Sequence, residues 1–227
     1  MMILSYLPQL LSGISVTLML MIVSLGIGLI LAVMMTLCHT SRYYLLRKLI
    51  DTVIFFVRGT PLLVQIFLIY YGSGQFSFIR ESSWWFIFRE PTACAIIALA
   101  INTACYSTVL LIGALHAVPY NEIDACKALG MSNYQAMRRV IFPRAFRIAL
   151  PAYSNEILMV FKGTSLASTI TLLDIMGVTQ QLVSQTYDTV TWYLVAAFIY
   201  LSLNACLMVL FNRLEKIYPI QRAHLGL

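Results

Sequence analysis

The chain has 227 residues, of which 60% are hydrophobic and only 11% charged, and its mean hydropathy is +0.84. Soluble domains carry about 45–50% apolar and about 25% charged residues, so this composition excludes a water-soluble globule and also intrinsic disorder. The net charge is +6. In a soluble protein that balance would suggest nucleic acid, but here the charges lie between apolar runs. We interpret them as determinants of membrane topology and expect a lipid bilayer, not nucleic acid, around this protein.

Five apolar segments are each long enough to cross a bilayer as a helix, which needs about 20 residues. Their length and lack of alternation exclude strands. The first follows no basic residue and is too long for a signal-peptide core, so we expect it to remain as a span. We predict an all-α integral membrane protein with a single domain over 1–227 and five transmembrane helices. The predicted spans are 10–38, 49–71, 91–115, 150–175 and 189–211.

The first span carries Ser24, Gly28 and Ala32 four residues apart. Such a small-xxx-small stripe predicts the close approach of another helix. The second span contains Arg58, followed by Gly59, Thr60 and Pro61. Pro61 has no N–H to donate to residue 57, so we expect a kink at this point.

Residues 116–149 form a loop that we predict to hold a short helix, a glycine turn and a second short helix. Asn121 is the predicted N-cap of the first helix, and Gly130 suits the left-handed position that ends it. Ser132 and Gln135 have the spacing of a capping box. Pro143 is expected to interrupt the second helix. The apolar residues of this loop either pack on the protein's own helix ends or on lipid, or they dock to a cytoplasmic protein.

The fourth span carries Glu156 and Lys162. Charged residues inside a membrane are costly. Together with Arg58, these two residues either line an aqueous or solute path, or they form structural pairs or extend to an interface. For Arg58 and Lys162 a role at a subunit interface or in gating is a further alternative. Glu156 suits a cationic group of a substrate, and Arg58 suits a carboxylate.

Lys and Arg are concentrated in the loop after span one, the loop after span three and the tail that includes Arg222, whereas the second loop has only Arg80 and Arg89. This asymmetry predicts a periplasmic N-terminus and a cytoplasmic C-terminus. Trp84, Trp85 and Trp192 fit the outer interface, where indole rings settle.

No catalytic or metal site is expected. Five cysteines, an odd number without a C-x-x-C pair, are interpreted as packing residues. His39, His116 and His224 are isolated, which argues against a membrane-embedded enzyme. No G-x-x-x-x-G-K-[ST] motif occurs, so the sequence contains no P-loop for the phosphates of ATP.

The loop resembles the signature loop of permease subunits of ATP-binding-cassette (ABC) importers, which runs E-A-A-x-x-x-G, nine residues, then I-x-L-P. Residues 124–130 read D-A-C-K-A-L-G, and residues 140–143 read V-I-F-P at the same separation. Two more segments resemble the polar amino-acid branch of these permeases: R-G-T-P-L-L-V-Q at 58–65, and N-E at 155–156 followed by K-G-T-S-L at 162–166. The departures in the loop are conservative in size or charge.

The resemblance implies a type I ABC importer permease (MetI-like) bundle in the bacterial inner membrane, with a cytoplasmic coupling helix within 121–135. It implies import of a polar L-amino acid, with basic ones favoured (arginine, histidine, lysine or glutamine type). The implied partners are ABC ATPase subunits, a second permease copy and a periplasmic substrate-binding protein. The implied ATPase-coupling residues are Asp124, Ala125, Cys126, Gly130 and Pro143; the candidate substrate-path residues are Arg58, Thr60, Glu156, Lys162, Thr164 and Ser165.

An ion-coupled secondary amino-acid transporter is the alternative function. Such carriers often contain internal repeats with paired broken helices. The sequence has one convincing broken segment, at 58–61, and a possible second at 162–165, but no clear repeat between its halves.

Overall fold

A computed structural model describes residues 6–217 of the chain; the predicted tail residue Arg222 lies outside them. The described part is helical and contains no strand, so the predicted all-α class is confirmed. The helices are α1 (Leu7–His39), α2 (Tyr44–Gly59), α3 (Leu62–Phe67), α4 (Ser77–Arg80), α5 (Trp85–Phe88), α6 (Pro91–His116), α7 (Tyr120–Ala128), α8 (Asn133–Ala136), α9 (Phe142–Gly163), α10 (Ile175–Thr186) and α11 (Thr189–Ile217).

Three helices, α1, α6 and α11, are each long and apolar enough to cross a membrane. Two further crossings arise only if each of two bent helix pairs counts as one span. The five predicted spans therefore correspond to three continuous helices and two broken ones. The continuous helices extend a few residues beyond the predicted spans 10–38, 91–115 and 189–211.

Helices α1 and α6 pack along the stripe of small residues in the first span. Ser24, Gly28 and Ala32 are all buried, and the Thr108 hydroxyl on α6 lies 3.5 Å from the Ala32 carbonyl oxygen. A Cβ atom at Gly28 would overlap the Cγ2 methyl group of Thr103 on α6. The predicted close approach is confirmed, because the two backbones come together where one residue has no side chain.

The second predicted span is broken directly after Arg58. Helix α2 ends at Gly59, α3 begins at Leu62, and the two helices are bent by 105°. Thr60 and Pro61 between them are extended, with ψ angles of 144° and 137°. Proline removes a hydrogen-bond donor and disfavours helical backbone at the residue before it. The predicted kink is confirmed, but the single span expected at 49–71 is in fact two helices.

Pro143 does not interrupt the helical segment, contrary to our expectation. It lies in the first turn of α9, directly after a π-helical turn at Met137–Ile141. In that turn the N–H of Phe142 bonds to the carbonyl of Met137, five residues back. The widened turn accommodates the proline ring without ending the helix. Pro151 also lies inside α9, so the predicted start of span four at 150 is not a helix boundary.

The fourth span is broken near its far end, and the helix ends within the possible broken segment predicted at 162–165. Beyond α9 the chain forms a 3₁₀ turn to Ile170, and Thr171 then has a positive φ of 70°. Asp174, which is fully buried, accepts hydrogen bonds from the N–H groups of Met176 and Gly177 and so caps α10. The helical segments on either side are bent by 46°. A buried N-cap of this kind starts a new helix instead of continuing the old one.

Trp192 is fully buried and does not face the outer interface as predicted. Its indole N–H donates to the Thr186 hydroxyl at 2.7 Å, and its ring meets Tyr6 edge-on at 5.3 Å. The predicted interface position is therefore wrong for this residue, because an internal hydroxyl provides the polar partner that a lipid headgroup would otherwise supply. Trp84, by contrast, is 66% exposed.

Candidate functional site

The short helix predicted in the cytoplasmic loop is α7. It begins at Tyr120 with Pro119 as N-cap, so Asn121 lies in the first turn and is not the cap that we predicted. Pro119 has an extended backbone and leads directly into the helix, so the helix begins earlier in the chain than predicted. The capping box of Ser132 and Gln135 in the following helix is present as predicted.

Gly130 ends α7 in the predicted left-handed conformation, with φ of 69°. Its N–H bonds to the Lys127 carbonyl at 2.9 Å, and the N–H of Met131 bonds to the Cys126 carbonyl at 3.0 Å. These two bonds define a Schellman motif, which satisfies the last carbonyls of the helix. A residue with a side chain is strained at this φ, so glycine fixes the angle at which the chain leaves the helix.

The two faces of α7 have different surroundings. Cys126 is only 4% exposed, and Ile123 packs against a buried cluster around Ala114 and Val118. Cys126 therefore belongs to the inner face and is not available to a partner, which corrects its assignment to the coupling contact. The outer face exposes Asp124, Ala125, Lys127, Ala128 and Leu129. The inner face therefore packs on the protein's own helix ends, as one of the two interpretations of the loop expected, and the outer face is left exposed.

An ion pair ties α7 to the helix of the fourth span. A guanidinium nitrogen of Arg144 on α9 lies 3.3 Å from Oε1 of Glu122, and both side chains are largely shielded from solvent. Sequence reasoning singled out neither residue, because the pair is separated by a whole helix–turn–helix segment. With the packing of Ile123, this pair joins the loop helix to α9, which also carries Glu156.

A cavity of about 700 Å³ opens at the break of the second span. Arg58, Gly59, Thr60 and Pro61 line it at the end of α2 and along the break, and Glu156 lines it from α9. Broken backbone is tolerated at membrane depth where it lines a cavity. The structure therefore brings together three of the six candidate path residues, namely Arg58, Thr60 and Glu156.

Arg58 and Glu156 give this cavity one charge of each sign. The Arg58 guanidinium lies over the Tyr106 ring, 4.9 Å from its centroid. Glu156 is only 8% exposed, and within residues 6–217 it forms no ion pair with Arg58 closer than 4.0 Å, although the two interact electrostatically. Two opposite charges in one cavity suit a small zwitterionic or cationic solute that contacts both.

Lys162, Thr164 and Ser165 do not line the cavity. The Lys162 side chain is exposed, and the hydroxyl groups of Thr164 and Ser165 donate to backbone carbonyls of their own turn. This turn packs instead beneath the broken span: a Cβ atom at Gly163 would lie 3.1 Å from the Cδ2 methyl of Leu62. These three residues are not part of the candidate site that follows from the geometry.

Asn102 and Gln65 are polar residues at this site to which sequence reasoning gave no role. Asn102 lines the cavity from α6, and its Nδ2 donates to Oε1 of Gln65 at 3.1 Å. Asn102 could have been noticed in the sequence, because it is a polar amide in a span that contains no charged residue. Gln65 was visible only as the last letter of the R-G-T-P-x-x-x-Q segment.

Comparison with known proteins agrees with this architecture. The profile of the family described as "Binding-protein-dependent transport system inner membrane component" matches residues 24–217. The nopaline transport system permease protein NocM of Agrobacterium fabrum is 42% identical over 221 residues, which cover 96% of this chain and 92% of that protein. The arginine ABC transporter permease protein ArtM of Escherichia coli is 43% identical over 212 residues, covering 93% and 95% of the two chains.

Solved structures show the same fold. The crystal structure of an amino acid ABC transporter with histidines superposes with a TM-score of 0.86 at 29% identity, covering 94% of this chain and 96% of that one. An inward-facing structure of the MetNI methionine ABC transporter gives a TM-score of 0.73 at 16% identity and covers 95% and 98% of the two chains. The predicted MetI-like permease fold is thereby confirmed.

Family membership also decides between the predicted functions. Permeases of this family work with a separate ATPase subunit and a substrate-binding protein, so the importer interpretation holds over the ion-coupled carrier, and the chain itself is a transport subunit and not an enzyme. The family and the apolar helices also place it in the inner membrane as a multi-pass protein. The chain therefore belongs to the inner-membrane permease components of binding-protein-dependent ABC import systems.

Proposed function

We propose that this permease imports a cationic L-amino acid of the arginine type and that the solute passes through the cavity at the break of the second span. The observation that carries the proposal is that Arg58 and Glu156, from two different helices, line the same cavity. Relatives named as arginine, nopaline and octopine permeases support the substrate class. The amino-acid transporter with histidines supports it as well.

The charges of the cavity match the charges of such a solute. The Glu156 carboxylate suits the cationic side chain, and the Arg58 guanidinium suits the α-carboxylate in a bidentate arrangement. Tyr106 beneath Arg58 restricts the guanidinium by a cation–π contact. Because Glu156 is buried, its contact with the solute is stronger than the same contact on a surface.

Replacement of Glu156 by glutamine tests this proposal. Loss of a hydrogen-bonded charge pair with the solute is expected to raise KM for L-arginine about tenfold or more, since such bonds contribute about 1.5–3 kcal/mol. The measurement is ATP-driven uptake of labelled L-arginine by proteoliposomes that contain the complete transporter and its binding protein. Glu215→Gln, on α11 and away from the cavity, is the matched control and should keep the KM of the unaltered permease. An unchanged KM in Glu156→Gln would remove the cavity from the path.

We further propose that the outer face of α7 docks to the ATPase subunit. Asp124 and Ala125 belong to that face, Gly130 sets the exit angle of the helix, and Pro143 lies in the first turn of the helix that receives the motion. ATP is bound by that partner, and the permease requires no cofactor of its own. Two permease copies enclose the path, since the five spans of one chain make a thin bundle.

The ion pair of Glu122 and Arg144 is expected to transmit motion from α7 to α9. Reversal of either charge, Glu122→Arg or Arg144→Glu, places like charges about 3 Å apart and should lower the uptake rate about tenfold. The double variant, which restores an opposite-charge pair, should recover most of the rate. Uptake and ATP hydrolysis are measured together in proteoliposomes. If the single reversals transport normally, or if the double variant is no better than they are, the pair has no part in transmission.

The orientation of the chain follows from its charges. We propose a periplasmic N-terminus and a cytoplasmic C-terminus, because the basic loop after α1 and the segment from α7 to the start of α9 then face the cytoplasm. This places the outer face of α7 on the side where ATP is available.

A further inference from the structure

The break in the second span leaves a backbone carbonyl without its helical donor. In a continuous helix the carbonyl of Val57 would accept from the N–H of residue 61, but residue 61 is proline. The Gln65 side chain replaces the missing donor: its Nε2 lies 2.7 Å from the Val57 carbonyl oxygen. Unpaired carbonyls are costly inside a membrane, so this contact stabilises the break.

The surroundings of Gln65 fix which end of its amide faces which way. Its Nε2 also lies 3.1 Å from the Thr60 carbonyl oxygen and 2.9 Å from the Thr60 hydroxyl oxygen. That hydroxyl donates its own hydrogen to the Phe56 carbonyl at 2.9 Å, so it meets Gln65 as an acceptor. With acceptors on this side, only the NH₂ end of the amide fits here, and Oε1 is left for another donor.

That donor is Asn102 on α6. Its Nδ2 lies 3.1 Å from Oε1 of Gln65, which fixes the orientation of the second amide in turn. The Oδ1 atom of Asn102 has no hydrogen-bond partner within residues 6–217, and Asn102 lines the cavity. A carbonyl oxygen held in this way is an acceptor for an N–H donor in the cavity.

We infer that Gln65 is a positioning residue for solute recognition: it holds the broken span at Val57 and Thr60 and, through its other end, keeps the Asn102 amide turned so that Oδ1 accepts an N–H group of the solute. The inference rests on the proposed function, since it requires the solute to enter this cavity. It assigns to Gln65 two separable effects, one on the geometry of the break and one on affinity for the solute.

The test is a double-mutant cycle on the complete transporter with L-arginine as the probe. Gln65→Met keeps the size of the side chain but removes both hydrogen-bonding ends. It should raise KM about tenfold, the value of about one lost hydrogen bond to a charged donor. Asn102→Ala should raise KM by a similar factor. The double variant should show no further increase beyond Asn102→Ala, because Gln65 acts on KM through Asn102.

A second variant separates the two ends of the amide. Gln65→Glu keeps the length of the side chain and an oxygen that accepts from Asn102, but it loses the donor for Val57 and Thr60. It should lower the maximal uptake rate while KM stays within about twofold of the unaltered protein. Gln180→Met, at an exposed position of α10, is the control and should change neither parameter.

The outcomes discriminate between a positioning role and a merely structural one. If Gln65→Met lowers only the amount of folded complex or the maximal rate and leaves KM unchanged, the inference is overturned. Independent, multiplying effects of Gln65→Met and Asn102→Ala on KM also overturn it. If Gln65→Met does not assemble, Gln65→Glu decides: a lower maximal rate with KM within about twofold supports the inference, and a KM raised about tenfold overturns it. An unchanged KM in Glu156→Gln contradicts the proposed path itself, whereas failure here with Glu156 still effective contradicts only the role of Gln65.

Discussion

Tryptophan at position 125 is expected to abolish ATP-driven uptake while the permease still folds and inserts. Ala125 lies on the exposed outer face of α7, so an indole ring there meets no atoms of the protein's own core. It would instead hold the ATPase surface away from the helix. Overpacking at a close contact costs about 1–3 kcal/mol, which weakens the contact about 5- to 150-fold. Uptake and solute-stimulated ATP hydrolysis in proteoliposomes measure the loss.

The matched control is Ala125→Ser, which keeps a small side chain and should transport at nearly the normal rate. Gly130→Pro provides a second variant of the same loop helix, α7. Proline fixes φ near −65°, whereas Gly130 has φ of 69°, so the exit angle of α7 must change. Normal uptake by both Ala125→Trp and Gly130→Pro, in protein that inserts at normal levels, would show that α7 is not the coupling contact.

Leucine at position 28 is expected to destabilise the permease strongly. A Cβ atom at Gly28 already overlaps Thr103 Cγ2 and lies 3.1 Å from the Ala100 carbonyl oxygen on α6. The backbone of α6 cannot rotate away as a side chain can, so the two helices must separate. Overpacking of this kind costs about 1–3 kcal/mol, and occasionally more. The thermal midpoint of the purified complex in detergent measures the effect.

Gly26, two residues earlier in the same helix, is the matched control. A Cβ atom there meets nothing within 4 Å, and the residue is exposed. Gly26→Leu should therefore keep the thermal midpoint of the unaltered protein, and it isolates the effect of position from the loss of a glycine. Equal midpoints for Gly28→Leu and Gly26→Leu would show that the α1–α6 contact does not limit stability.

The sequence predicted those features that depend on local chemistry. Gly130 ends α7 because its backbone needs a positive φ, and Ser132 with Gln135 caps the next helix because their spacing alone brings the side chains to the backbone. Pro61 breaks the second span because it lacks an N–H. Pro143 was predicted wrongly, because a wider helical turn before it accommodates the ring.

Contacts between distant segments could not be predicted in this way. Cys126 looked like part of a partner-binding face until α7 was seen to pack it inward. Trp192 looked like an interface anchor until it was seen to be buried with its ring against Tyr6. Glu122 and Arg144 form a pair only because α7 folds back on α9. Neither residue has a local pattern that names its partner.

The amino-acid sequence by itself determined that this protein is a helical membrane permease, since apolar length, Lys and Arg asymmetry and short motifs are properties of consecutive residues. Only the tertiary structure decided which polar residues share a cavity. It separated Lys162 from Glu156, although both lie in the fourth span, and it joined Gln65 to Asn102 from two different helices. The reason is physical: a helix turns about 100° per residue, so neighbours in sequence face different surroundings, and the packing of several helices chooses the face that meets the solute.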